Sequence, residues 1–154
     1  MQYKPAILPS GSDTEKRSDS CPNGWVKSPL NNCYRFVSSP KASWKTAQGF
    51  CLDEGGTLAT MDNADETYWL KGYRLFHANL HFSAWIGGYK KNGQWLWHGR
   101  ITDSTIVATD WAPSEPNNAN GNEDCIETYG SGHVWNDLAC HEPRGFICEK
   151  DLDF

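Results

Sequence analysis

Six cysteines, at positions 21, 33, 51, 125, 140 and 148, constrain the fold of this 154-residue chain more than any other feature. Their number is even, and no Cys-x-x-Cys pair occurs, so the spacing does not read as a zinc site. Disulfides are the reading, and they place the folded chain outside the reducing cytosol. Six cysteines allow fifteen pairings, and spacing alone does not choose among them. The length suits one domain with a real hydrophobic core.

The cysteines begin at residue 21, and the composition changes there. Residues 1–20 mix Pro, Gly, Ser, Asp, Lys and Glu, the make-up of a flexible tail, and lack the apolar run of a signal peptide. The chain therefore reads as a processed or truncated secreted form, with a domain over 21–150 and a short C-terminal tail over 151–154. No stretch is long and apolar enough to span a membrane as a helix.

Within the domain, Gly24–Val26 and Cys33–Val37 read as short strands about a Pro/Asn turn. Ser43 is positioned to cap a helix whose Trp44, Ala47, Phe50 and Cys51 recur at steps of three and four, with Gly55-Gly56 as its stop. Asn63-Ala64-Asp65-Glu66 has the form of a capping box and opens a second helix to about Arg74, with Leu70 and Tyr73 on its buried face. Residues 82–88 and 94–97 alternate as strands around Asn92-Gly93, a strong hairpin signal. Residues 125–129 and 145–150 are strand-like again. Two helices, several short strands and a long excursion make an α+β domain, expected to carry small antiparallel sheets.

The excursion holds the chemistry. From Trp111 to Cys125 the chain reads Trp-Ala-Pro-Ser-Glu-Pro-Asn-Asn-Ala-Asn-Gly-Asn-Glu-Asp-Cys. Pro113, Pro116 and Gly121 exclude a regular helix, and proline is poorly tolerated inside a strand. A long loop of this kind is disordered or functional. Glu115, Asn117, Glu123 and Asp124 are hard oxygen donors, and Trp135-Asn136-Asp137 follows just before Cys140. Carboxylates and amides from two segments make a ligand set for calcium, which takes six to eight oxygens in flexible geometry.

Glu115-Pro116-Asn117, Glu123-Asp124-Cys125 and Trp135-Asn136-Asp137 resemble the sugar-binding signature of C-type lectin domains. Trp85-Ile86-Gly87-Gly88 and the six cysteines, in the family's long-form arrangement, extend the resemblance from Cys21 to about Lys150. The resemblance implies three disulfides, Cys21–Cys33, Cys51–Cys148 and Cys125–Cys140. It implies that Ca2+ is held by Glu115, Asn117, Glu123, Asn136 and Asp137, with a cis peptide before Pro116. It implies no catalysis. Instead, the 3- and 4-hydroxyls of a sugar complete the calcium shell, and the Glu-Pro-Asn triplet goes with glycans of the mannose, fucose and N-acetylglucosamine type. Tyr129 and His133 flank the ligand segments as contacts for a second sugar residue, and Leu138 offers an apolar contact to the ring. An auxiliary calcium is not expected, because Gly88, Asn92 and Asn118 stand where its acidic ligands would fall. The implied role is a secreted lectin that recognises glycans in innate immunity.

Other readings are weaker. A formal charge of −5, with scattered Lys and Arg, argues against nucleic acid and against a membrane surface. His77 and His81 lie at helical spacing but lack a third metal ligand. Glu127, Asp110 and His133 show no nucleophile–base order, so an enzyme is disfavoured. The strongest alternative is a lectin-like scaffold that binds protein or mineral surfaces without sugar. A shallow monosaccharide site binds modestly and gains from multivalency, which leaves a homo-oligomer open; the first twenty residues, without heptads, offer no coiled-coil route to one.

Overall fold

The computed structural model describes residues 20–129 and 131–152. The expected flexible tail falls almost wholly outside these residues. Strands β1 (Val26–Lys27) and β2 (Asn32–Ala42) come first, then helix α1 (Trp44–Asp53). Strand β3 (Thr57–Leu58) leads to helix α2 (Ala64–Leu75) and a 3-10 turn over Ala78–Leu80. Strands β4 (Ala84–Lys91), β5 (Gln94–Trp97) and β6 (Ser104–Thr105) precede the long loop. Strands β7 (Cys125–Tyr129), β8 (Val134–Leu138) and β9 (Arg144–Asp151) close the domain.

Both helices start where their caps predict. The Ser43 hydroxyl accepts from the Thr46 amide at 3.2 Å, which satisfies one of the orphan donors of the first turn of α1. Asn63 Oδ1 accepts from the amides of Asp65 (2.8 Å) and Glu66 (3.1 Å). The second half of the capping box is not made. The Glu66 carboxylate turns inward and accepts from the Ser28 hydroxyl (3.0 Å), the Asn32 amide (3.2 Å) and the Tyr34 hydroxyl (3.3 Å). Those three donors outcompete a single backbone amide that water can satisfy as well.

The buried face of α2 is accordingly Glu66, Leu70 and Arg74, with Tyr73 only half-buried. Arg74 is 1% exposed and has no carboxylate partner among the described residues. Its guanidinium donates to the carbonyls of Leu80 (3.2 Å) and Phe82 and to the Thr128 hydroxyl (2.7 Å). Five donors in a rigid fork can knit three chain segments together in this way. Burial pulls its pKa down to about 10, still well above neutrality.

The small antiparallel sheets expected from the sequence are instead one connected nine-stranded sheet of mixed direction. Antiparallel β2 and β9 run in register from Asn32–Asp151 to Val37–Phe146. Beside them, β4 lies parallel to β9, with Ala84 opposite Gly145 and Trp85 opposite Phe146. The approach is close: a Cβ on Gly145 would meet the Phe82 ring at 2.6 Å and the Val37 carbonyl at 2.7 Å. A parallel pair is normally covered on both faces, and here it is. Ala84, Ile86 and Ile147 point into one core with Tyr34, Leu70, Trp97 and Trp135, while Trp85, Phe146 and Cys148 point into another with Ala47, Cys51 and Leu58. Strand β9 reaches Asp151, and the Leu152 amide donates to the Asn31 carbonyl at 3.0 Å.

All three disulfides join the pairs that the resemblance implied: Cys21–Cys33, Cys51–Cys148 and Cys125–Cys140. Cys51–Cys148 spans 97 residues and ties α1 to β9. Chain entropy assigns such a closure roughly 4–5 kcal/mol.

Candidate functional site

The long loop is anchored to the sheet at its root. Trp111 bridges Trp135, the Ala112 amide donates to the Trp135 carbonyl at 2.9 Å, and the Trp135 amide donates to the Asp110 carbonyl at 2.8 Å. Beyond Ala112 the loop turns back on itself. Ser114, Asn118, Asn120 and Gly121 all have positive φ, and the Glu115–Pro116 peptide is cis. Asparagine tolerates the left-handed region better than other residues with a side chain, which accounts for this run of Asn and Gly.

Side-chain oxygens supply the bonds that the loop backbone lacks. The Ala119 amide donates to Asn117 Oδ1 (3.2 Å) and to Glu123 Oε1 (3.0 Å), and the Glu123 amide donates to Asn118 Oδ1 (3.0 Å). Asp137, on β8 and 0% exposed, reaches into the loop. Its two oxygens accept from the amides of Asn117 (3.2 Å) and Asn118 (2.7 Å). The Asn117 amide also donates to Glu115 Oε1 at 3.1 Å. Glu115, Asn117, Glu123 and Asp137 are thus gathered at one place, from two segments joined by the Cys125–Cys140 bridge.

This gathering has an electrostatic signature. The Glu115 carboxyl is held above the ordinary carboxylate range, first by burial and then by the hydrogen bond and charge of Asp137, with Glu123 adding to it. Glu123 is raised as well, by burial and by Asp137 and Glu127. Carboxylates that penalise one another's ionisation form a site suited to a cation. Among the described residues no three His, Cys, Asp or Glu side chains form a metal cluster by themselves. A calcium ion at this place would have to draw on the Asn117 and Asn136 amides and on backbone carbonyls as well, donors that calcium accepts and a transition metal favours less.

Asn136 is differently placed. Its amide donates to Glu127 Oε2 at 2.9 Å, and Glu127 Oε1 accepts from Arg144 Nε at 2.9 Å. Glu127, which the sequence offers only as a weak catalytic candidate, is therefore a buried positioning residue behind Asn136. Its burial (3% exposed) is the feature that sequence reasoning missed. Strand β7 is buried without alternation from Cys125 to Thr128, so a period of two offers little sign of it.

The outer candidates are dispersed. Tyr129 and Leu138 are half-buried at opposite ends of the β7–β8 pair. His133 is 2% exposed, with neither ring nitrogen hydrogen-bonded, and it lies 5.6 Å from the His81 ring. Burial, aided by the Arg74 charge, lowers its pKa to about 4. In this conformation its ring offers a sugar no exposed face. His77 and His81 fall beyond the end of α2 and bond backbone carbonyls separately. Asp110 is paired with Lys71 at 2.9 Å, so Asp110, Glu127 and His133 do not assemble into acid–base machinery.

Comparison with known proteins identifies the family. The family model for the Lectin C-type domain matches residues 40–150. Perlucin of Haliotis laevigata is 37% identical over 137 residues, covering 85% of this chain and 83% of that one. Lactose-binding lectin l-2 of Anguilla japonica is 36% identical over 147 residues, covering 93% and 86%. Among solved structures, the carbohydrate-recognition domain of the mouse scavenger receptor C-type lectin superposes with a TM-score of 0.72 at 30% identity, over 85% of this chain and 96% of that one. A calcium-independent type II antifreeze protein superposes with a TM-score of 0.70 at 25% identity, over 86% and 95%. These relatives are binding proteins and not enzymes, and the chain belongs to the C-type lectin domain family.

Proposed function

We propose that this protein is a calcium-dependent carbohydrate-binding lectin of mannose, fucose and N-acetylglucosamine selectivity. The observation that carries the reading is the convergence of Glu115, Asn117, Glu123 and Asp137 around the cis Glu115–Pro116 peptide. Glu115, Asn117, Glu123, Asn136 and Asp137 would hold the ion, and bound calcium supplies open coordination positions for two vicinal hydroxyls. The protein's own part is directional. Glu115 and Glu123 only accept hydrogen bonds, whereas the Asn117 and Asn136 amides both donate and accept. Glu127 orients the Asn136 amide so that its carbonyl oxygen is the end left free. Bonds from sugar hydroxyls to ionised carboxylates are charge-assisted and short. Three disulfides suit an oxidising extracellular setting, and the proposal extends to a secreted lectin that recognises glycans in innate immunity.

The second reading is a lectin scaffold that binds protein or mineral surfaces without sugar. It is favoured by the structural likeness to a calcium-independent antifreeze protein. A glycan array probed with calcium and again with chelator separates the two. Mannose-type hits that vanish with chelator support the lectin; no hits under either condition support the scaffold.

A further inference from the structure

Helix α2 carries apolar side chains on its outer face as well as Leu70 on its inner one. Its inner face carries the charged Glu66 and Arg74, while its outer face exposes Tyr68 (83%), Leu75 (50%) and Phe76 (88%) at the C-terminal end and cap. Tyr68 lies four residues before Gly72, and Leu75 and Phe76 lie three and four after it, so all four share one face. Gly72 sits at its middle, and among the described residues a Cβ there would meet nothing within 4 Å. The chain's own packing therefore does not call for glycine, which weakens a helix by about 1 kcal/mol relative to alanine. A residue without a side chain at the centre of an exposed apolar stripe lets a second backbone come close.

We infer that this face of α2 is a two-fold interface between two copies of the chain, with the helices antiparallel and crossing at Gly72. The stripe is self-complementary about that point. The residue four before Gly72 meets the residue four after it, so Tyr68 of each copy packs on Phe76 of the other. The positions three away, Trp69 and Leu75, meet likewise, which is the isologous pattern that a two-fold axis requires. Of the charges on this face, Lys71 is neutralised by Asp110 at 2.9 Å, and exposed Asp65, three residues before Tyr68, lies beyond the Tyr68–Phe76 contact, so no like charges oppose across the axis.

The area fits a weak dimer. A tyrosine or phenylalanine buries about 150–250 Å². At the exposures above, Tyr68, Leu75 and Phe76 offer roughly 400 Å² per copy, and with the half-buried Trp69 and Tyr73 beside them the pair removes about 1,000 Å². That lies at the threshold for a specific interface, so the dimer dissociates on dilution. The inference rests on α2 alone and holds whether or not the loop binds sugar. If both hold, each dimer carries two sugar sites and binds arrayed glycans with avidity.

Sedimentation velocity on the full chain, from micromolar to millimolar protein, reads the association directly. The wild type should form a reversible dimer, and Phe76→Glu should weaken it at least tenfold while circular dichroism and melting temperature stay unchanged. Gly72→Cys supplies the geometric test, because only a crossing at residue 72 brings the two introduced thiols together. It should yield a covalent dimer on mild oxidation, whereas Ile101→Cys, at a 93% exposed position elsewhere, should not. A wild type that stays monomeric at millimolar concentration overturns the proposal. So does a dimer indifferent to Phe76→Glu, equal cross-linking of the two cysteine variants, or a monomer whose own residues 1–19 cross-link to α2.

Discussion

Glu149→Gln should stabilise the domain above about pH 8 and change it little near pH 5. Glu149 lies on β9 opposite Tyr34, and its Oε1 accepts from the Thr60 amide (2.6 Å) and the Thr60 hydroxyl (3.2 Å). The residue as a whole is half-buried, but its carboxyl is turned inward. Burial, then the charges of Asp62 and Glu66, push its pKa up to about 8, against the opposing Thr60 hydrogen bonds. An acid whose folded pKa is raised holds its proton in the native state after the unfolded chain has released it. Between the ordinary value of 4.5 and about 8 the native state binds more protons, so stability falls as pH rises through that window. Each pKa unit corresponds to about 1.4 kcal/mol. Allowing for the solvent that the residue still meets, a net effect of roughly 1–3 kcal/mol is expected. Glutamine keeps the shape and the acceptor for Thr60 but cannot ionise, so its advantage should grow over the same window. Urea denaturation of both proteins in chelator, at intervals from pH 5 to 9, measures the difference, and contributions from all other groups cancel. Parallel stability curves, or a variant less stable than wild type at pH 9, would refute the argument.

Calcium should stabilise the fold. With Kd on the order of 10⁻⁴–10⁻³ M, a concentration of about 10 mM adds roughly 1–3 kcal/mol, and Asp137→Asn should abolish the gain; melting temperatures with calcium and chelator check both. Sugar binding should weaken as pH falls. Glu115 and Glu123 already hold protons more tightly than usual in the metal-free protein, so protons displace the metal from above the ordinary carboxylate range downward; titration calorimetry showing equal affinity at pH 7 and pH 4 would contradict this. The paired exchange Glu115→Gln with Asn117→Asp keeps the charge but moves the acceptor-only group across the site. It should shift inhibition from mannose toward galactose with calcium binding retained, whereas a wild type inhibited by galactose and indifferent to mannose would overturn the proposed selectivity.

Much of this protein is local and therefore legible in its sequence. Ser43 and Asn63 start their helices because a cap needs only a side-chain oxygen and amides two or three residues on. Asn92-Gly93 turns β4 into β5 for the same reason, and the prolines and asparagines of 111–125 exclude regular structure without reference to anything distant. The oxygen-rich triplets are legible as candidate calcium ligands because that chemistry depends on donor type, which a sequence displays directly. Tertiary structure decided what depends on distant partners. Strands β3 and β6, two residues each, are too short to show a period and exist because β9 and β5 lie beside them. The parallel β4–β9 contact joins segments some sixty residues apart, and no local pattern specifies its direction. Glu66 and Arg74 look like solvent-facing helix residues until Tyr34, Ser28 and Thr128 arrive to pair with them. His133, a surface residue by type, is buried because the β7–β8 turn folds it against His81 and Arg74. Desolvation of a polar group is decided by which other groups reach it, and only the assembled fold fixes that.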